Sequence, residues 1–386
     1  MDFDLSEEQQ LLKDSIDRLL ASRYPDVKTR AGHMAAPKGY SAAIWQEIAD
    51  LGLLGIPFAE AHGGLGQGYV EIMIVMEAIG RNLALEPYLP TVVLGGGCLR
   101  HAGSDAQIGA LAPDIIAGKT TLALAHLEKQ ARYDLADTAM SAKADGKGGY
   151  VLEGEKCVVL GGDSADKLVV TARTSGDRRS SSGIGLFMVD ATAGGISRRG
   201  YQTQDGMRAA DIAFSGVRVG KDGVLGDPAG GYSVLARVVD EAIAALAAEA
   251  VGAMEGAHLL TVEYLKTRKQ FGVPIGSFQV LQHRSVDMFT NLEQSRSMAL
   301  LASMMAAEPD AAERARAMSA VKVQIGRSGR FIGQEATQLH GGIGMTMEYK
   351  SGHYFKRLAM IDLAFGPADH HLKKLAEAGG VLSEAA

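Results

Sequence analysis

Only two cysteines, Cys98 and Cys157, occur in 386 residues, 59 positions apart, and the chain has a single tryptophan and 10 prolines. Two distant cysteines cannot make a disulfide framework, and the usage is that of a reducing compartment, so a cytoplasmic location is expected. Nor is there an excess of positive charge: 39 Lys and Arg stand against 45 Asp and Glu, a net charge of −6, with no sustained basic stripe. That argues against nucleic acid as a partner. No apolar run reaches the ~20 residues of a membrane span. The best candidate, 242–254, is rich in alanine and carries Glu249, so no membrane partner is expected. The N-terminus, Met1 to Glu8, is acidic where a targeting peptide is basic. Phosphate-cradling GxxxxGK[ST], HExxH, Cys-x-x-Cys and G-x-S-x-G patterns are missing too, which sets aside kinase and hydrolase chemistry. His370 and His371 are adjacent, so on a helix they point about 100° apart and do not form a metal site.

What is present has a clear order. Ser6 with Gln9 has capping-box spacing ahead of Leu11, Leu12, Ile16, Leu19 and Leu20, which predicts a helix. Ile44, Trp45, Ile48, Leu51 and Leu54 predict a second, ended by Gly55 and Pro57. A glycine-rich loop over 58–68 precedes a third that begins near Tyr69 and stops at Gly80. From about residue 119 short apolar runs at 120–125, 149–152, 157–160, 167–172, 184–189 and 211–214 predict a β domain, with 174–183 as an exposed hairpin loop. After Asp227 to Gly231, runs rich in Ala, Leu and Met at 232–267, 278–306 and 310–339 predict a helical bundle, with a last amphipathic segment beyond Pro367. The fold class is thus α+β multidomain: helical over 1–118, a β-barrel-like domain over 119–228 and a four-helix bundle over 229–386.

Two stretches are chemically unusual. In 261–279 a long helix ends in Lys266, Arg268 and Lys269, then Gln270, Phe271 and Gly272. Basic residues at a helix C-terminus compensate its dipole, but a guanidinium fork beside Gln270 and Phe271 also suits a pyrophosphate with an adjacent flat ring. In Gln338 to Thr346, Gly341, Gly342 and Gly344 follow another long helix. One glycine would end it; the others allow backbone to approach a ligand or a neighbouring chain.

Together, in this α, β, α order, the two stretches resemble the acyl-CoA dehydrogenase family over nearly the whole chain. Leu51 to Pro57 with Gly63-Gly64 look like that family's N-terminal helical domain. Gly149 to Lys156 with Ala165-Asp166 look like its central domain. Arg268 to Gly272, Phe278-Gln279 and Gln338 to Gly344 look like its C-terminal domain. The runs Ala125 to Asp137 and Val239 to Ala242 are similar, in closer detail, to the small subunit of pimeloyl-CoA dehydrogenases, which pair a large and a small chain.

The resemblance implies FAD at a subunit interface, oxidation of an acyl-CoA substrate to the trans-2-enoyl-CoA, and electron transfer to an electron-transfer flavoprotein. It places Arg268, Gln270, Phe271, Gln338, Gly341 and Gly342 against the cofactor of a neighbouring chain, either a homologous large subunit or a copy within a homotetramer. The usual base, a glutamate directly before a glycine, corresponds here to Phe365 before Gly366. Some relatives carry the base on the first helix of the C-terminal domain, where this chain has Ala242; Glu241, one position earlier, is the candidate catalytic residue. Asp240 and Tyr133 are candidate substrate contacts. At flavin-facing positions, Ala125-His126 replace Thr-Glu and Val158-Val159-Leu160 replace Trp-Ile-Thr. Ala125 and Leu160 therefore offer the ring only backbone, with His126 or Tyr133 as replacement donors. A dicarboxylyl substrate would want a cation, for which Arg100 and His101 are candidates. The alternatives are a non-catalytic partner that completes another chain's FAD site and a flavin monooxygenase on the same fold.

Overall fold

In the computed structural model, which describes residues 5–379, the chain divides into two compact units: Met1–His33 with Tyr69–Ala84 and Ile243–Ala386, and Met34–Gly68 with Leu85–Ala242.

The first unit is helical: α1 (Glu7–Arg23), most of α2 (Val27–Met34), α4 (Tyr69–Asn82), the body of α7 (Gly231–Thr267), α8 (Gln279–Met305), α9 (Ala311–His340), α10 (Lys350–Leu363) and α11 (Ala368–Glu377). The Ser6 and Gln9 capping box opens α1. Gly80 does not stop α4, which continues to Asn82. It sits there because a Cβ at Gly80 would lie 1.9 Å from the carbonyl oxygen of Glu249 on α7. Reciprocally, a Cβ at Gly252 would lie 1.9 Å from the carbonyl of Glu77 on α4. Two glycines thus let these helices cross backbone to backbone. Around the crossing, Arg81 is bonded to Asp17 (2.5 Å), Glu77 (2.6 Å) and Glu255 (2.5 Å). Buried Glu249 takes both arms of the Arg357 guanidinium at 2.5 and 2.7 Å, which offsets its desolvation.

The second unit holds α3 (Ala42–Asp50), α5 (Gly96–Ala102), α6 (Asp105–Ile116) and an eight-stranded sheet: β1 (Leu122–Ala125), β2 (Ser141–Ala144), β3 (Tyr150–Leu160), β4 (Lys167–Arg173), β5 (Ile184–Asp190), β6 (Ile196–Gln202), β7 (Arg208–Val219) and β8 (Val224–Leu225). The order is β6-β7-β3-β2-β4-β5-β8, with β1 parallel to β4. Helix α3 ends at Asp50 rather than at Gly55, because Gly52 takes φ +76 and so serves as the left-handed stop. The runs at 149–152 and 157–160 are one strand. Its polar middle contains Lys156, which is buried and donates to Glu128 at 2.7 Å and Thr171 at 3.0 Å. Strands β9 (Lys269–Gln270) and β10 (Val273–Pro274), in the first unit, form a separate hairpin. No helix among the described residues is long and apolar enough to cross a membrane.

Two histidines are held neutral, His371 in the interior and His126 half-buried. On α11, His371 donates from Nε2 to the Phe365 carbonyl at 3.0 Å and accepts the Ser319 hydroxyl at Nδ1 at 3.1 Å. Burial pushes its pKa down to about 3, and burial with the neighbouring Lys156 charge pushes His126 down to about 4. The unfolded chain takes up these protons near the ordinary imidazole value and the folded chain does not. Stability present above that value is therefore lost as pH falls toward 4, at up to about 1.4 kcal/mol per histidine per pH unit. The urea midpoint should fall between pH 7 and pH 5; a midpoint flat over that window would contradict the assignment. Among the described residues no cluster could hold a metal ion.

Candidate functional site

The two unusual stretches meet. Arg268 and Gln270 at the end of α7 and in β9, and Gln338, Gly341 and Gly342 at the end of α9, line one cleft of about 560 Å³ together with Tyr264, Arg284 and His340. An aromatic cluster fixes this geometry: Tyr264 stacks on His340 with ring centroids 4.6 Å apart, and His340 on Tyr349 at 5.0 Å. The Nδ1–H of His340 donates to the Ala336 carbonyl at 2.7 Å, and burial holds the imidazole below its ordinary pKa. A neutral aromatic floor thus ties the C-terminal end of α7 to that of α9.

Three of the cleft's donor side chains are uncommitted. Arg284 is neutralised by both oxygens of Glu335, at 2.5 and 3.0 Å. The side chains of Arg268, Gln270 and Gln338 have no hydrogen bond or ion pair among the described residues. Gly341 takes φ +62, and a Cβ at Gly341 or Gly342 would meet nothing within 4 Å, so the bend leaves room for a ligand. One guanidinium, two carboxamides and an open glycine bend are the donor set for a pyrophosphate. Phe271 does not line the cleft. It stands at the tip of the β9–β10 hairpin with φ +55, followed by Gly272 at φ +83, and is 91% exposed. A large aromatic ring held out in a left-handed turn is placed for something other than this unit's own core.

In the second unit, the positions at the ends of β1 and β3 offer little to a polar ring. Ala125 is fully buried and Leu160 has no side-chain donor. Val158 lies in a β-bulge at φ +50 and its N–H is already donated to Asp211 Oδ1 at 3.2 Å. Asp211 is held by Arg199 at 2.6 Å and Tyr201 at 3.1 Å, and its carboxyl lies below the usual range chiefly because Arg199 donates to it. Sequence reasoning missed Asp211; nothing local marks a carboxylate that reaches across to another strand. His126 and Tyr133 are half-buried, and desolvation of the His126 imidazole holds it neutral.

Glu241 is placed differently from the expected base. It is 1% exposed on α7. Its Oε1 accepts from His101 Nε2 at 2.6 Å and Arg237 Nε at 3.3 Å, and its Oε2 from Arg100 Nη2 at 3.3 Å. The expectation of a carboxylate that itself faces a substrate is corrected: both oxygens point into a cationic cluster. The same bonds engage Arg100 and His101, the candidate cations for a dicarboxylyl substrate. Arg237 was legible in principle, four residues before Glu241 and so on the same helix face. Asp240, the preceding residue on α7, is 9% exposed. In the first unit, Phe365 occupies a loop clamped by His371 and by Lys322, whose ammonium donates to the carbonyls of Ile361, Asp362 and Ala364 at 2.7–2.9 Å. The side chain at 365 is apolar.

The chain is similar throughout its length to proteins of one family. Family models for the acyl-CoA dehydrogenase N-terminal, middle and C-terminal domains match residues 6–119, 123–217 and 229–380. A mitochondrial isovaleryl-CoA dehydrogenase from Oryza sativa subsp. japonica is 30% identical over 95% of this chain and 89% of its own length. The caffeyl-CoA reductase-Etf complex subunit CarC of Acetobacterium woodii is 29% identical over 89% of each chain. Among solved structures, a Tcur3481-Tcur3483 steroid ACAD variant superposes with a TM-score of 0.86 at 29% identity, over 96% of this chain and 97% of that one. The chain therefore belongs to the acyl-CoA dehydrogenase family of oxidoreductases, with that family's three-part fold and FAD as its cofactor.

Proposed function

We propose that this chain works within an oligomer that oxidises an acyl-CoA thioester to the trans-2-enoyl-CoA, and that its Arg268, Gln270, Gln338, Gly341 and Gly342 hold the pyrophosphate and adenosine side of an FAD shared with a neighbouring, homologous chain. The observation that carries this is the single cleft in which those uncommitted donors converge. When bound, FAD supplies the hydride acceptor for the thioester's β-hydrogen. The protein's own part is to neutralise the diphosphate, keep the ring dry and remove the α-proton. Phe271 belongs to this reading as an aromatic presented to the neighbouring chain. The likeness to an Etf-complex subunit supports an electron-transfer flavoprotein as the electron acceptor.

A second reading, that the chain completes a partner's FAD site without doing chemistry, is favoured by the apolar Phe365 and by the lack of side-chain donors at Ala125, Leu160 and Val158. Glu241→Gln in the reconstituted assembly separates the two. If the chain takes part in proton removal, anaerobic flavin bleaching by substrate slows. If it only completes the site, bleaching is unaltered.

A further inference from the structure

We infer that the proton acceptor this chain presents to a thioester is His101, with Glu241 as the positioning residue behind it. This rests on the dehydrogenase reading above and deepens it.

The two side chains differ in what can reach them. The Glu241 carboxylate is enclosed and has His101, Arg237 and Arg100 on its oxygens, whereas the His101 side chain is 23% exposed. A carboxylate only accepts hydrogen bonds, so the 2.6 Å contact fixes the proton of neutral His101 on Nε2 and leaves Nδ1 as the basic nitrogen. Nδ1 makes no hydrogen bond to any described residue. An enclosed carboxylate that sets the tautomer and orientation of a more exposed imidazole, and offsets the imidazolium once formed, is a general-base dyad. Arg100 and Arg237 play the complementary part, since their guanidinium groups occupy the Glu241 oxygens and aim the carboxylate.

The step assigned is a proton transfer with no oxidation. The thioester's Cα–H bond breaks, its electron pair stays on the substrate as the enolate, and a new N–H bond forms at Nδ1. No oxidant is consumed, so the step can be read without turnover. The group facing the imidazole is Glu241; Arg100 from α5 and Arg237 from α7 hold that carboxylate, with Cys98 near Glu241 and Arg100, and Tyr88 near Arg100. Burial and the Glu241 charge push the Cys98 thiol up to about 12, so it stays protonated across the working range.

The test is exchange of the α-hydrogens of butyryl-CoA and octanoyl-CoA in D2O by the purified assembly with its flavin held reduced, read by mass spectrometry of the recovered thioester. Wild type should exchange faster with rising pH, as a general base requires. His101→Gln should slow exchange by about 100-fold or more and remove that pH limb. His101→Ala should regain a measurable part of the rate with added imidazole, and Glu241→Gln should shift the limb. Wild-type exchange by His101→Gln, or a His101→Ala protein that imidazole does not rescue, would overturn the assignment. Failure of the dehydrogenase reading looks different: the oxidised wild-type assembly would then not be bleached by any saturated acyl-CoA.

Discussion

Replacing Arg268 by alanine in the intact assembly is expected to weaken FAD binding by roughly 10- to 100-fold, the equivalent of the ~1.5–3 kcal/mol carried by hydrogen bonds to a charged group. The magnitude follows from its setting. Arg284, the other guanidinium in the cleft, is already matched by Glu335, so Arg268 is the positive charge left for a diphosphate. Arg268→Lys should recover only part of the loss, because an ammonium keeps the charge but not the planar fork. The measurement is flavin content after gel filtration, with a titration of the apoprotein for affinity. Removal of Arg268 with unchanged affinity would place the pyrophosphate elsewhere.

The largest effect on stability is expected at the crossing of α4 and α7. Gly80→Ala puts a Cβ 1.9 Å from a backbone carbonyl that cannot rotate away, and Gly252→Ala does the same from the other side. Either should cost about 3 kcal/mol or more and lower Tm by roughly 5 °C or more, since two helices must part along their length to relieve one clash. Gly32→Ala on α2 is the control: its Cβ meets nothing within 4 Å, so the usual gain of ~0.5–1 kcal/mol from replacing a helical glycine applies. A Gly80→Ala protein with the wild-type Tm would mean that the helices are not in backbone contact.

That crossing also shows what a sequence reveals and what it hides. Periodicity located the long helices to within a residue or two, because α7, α8 and α9 bury apolar residues at helical spacing over many turns. Gly80 looked like a stop because, read locally, a glycine late in a helix is one; its real partner is Glu249, on another helix. Strands β2 and β6 went unseen for a related reason. Ser-Ala-Lys-Ala and Ile-Ser-Arg-Arg-Gly-Tyr-Gln carry no apolar run, and both are strands by virtue of the neighbours they pair with. The break read between 152 and 157 came from Lys156, whose buried ammonium is tolerated only because Glu128, 28 residues away, faces it.

The candidate site divides the same way. Arg268 and Gln338 stood out because helix ends with surplus donors and surplus glycines are local features. That they share one cleft follows from tertiary packing through Tyr264 and His340. Glu241 was singled out by its position in a family pattern, but its chemistry is set by Arg100 and His101, about 140 residues earlier in the chain. No spacing rule could have supplied those partners. Asp211, which takes the Val158 N–H, lies equally beyond local reading.

The central claim is that the end of α7 and the glycine bend after α9 together grip a dinucleotide belonging to the adjoining subunit. An experimental structure of the FAD-loaded assembly tests it most directly. The expected result is the Arg268 guanidinium and the Gln338 carboxamide within hydrogen-bonding distance of the cofactor's diphosphate, with the diphosphate seated over Gly341 and Gly342. An FAD lodged elsewhere, with Arg268 and Gln338 turned to solvent and far from any neighbouring chain, would contradict it.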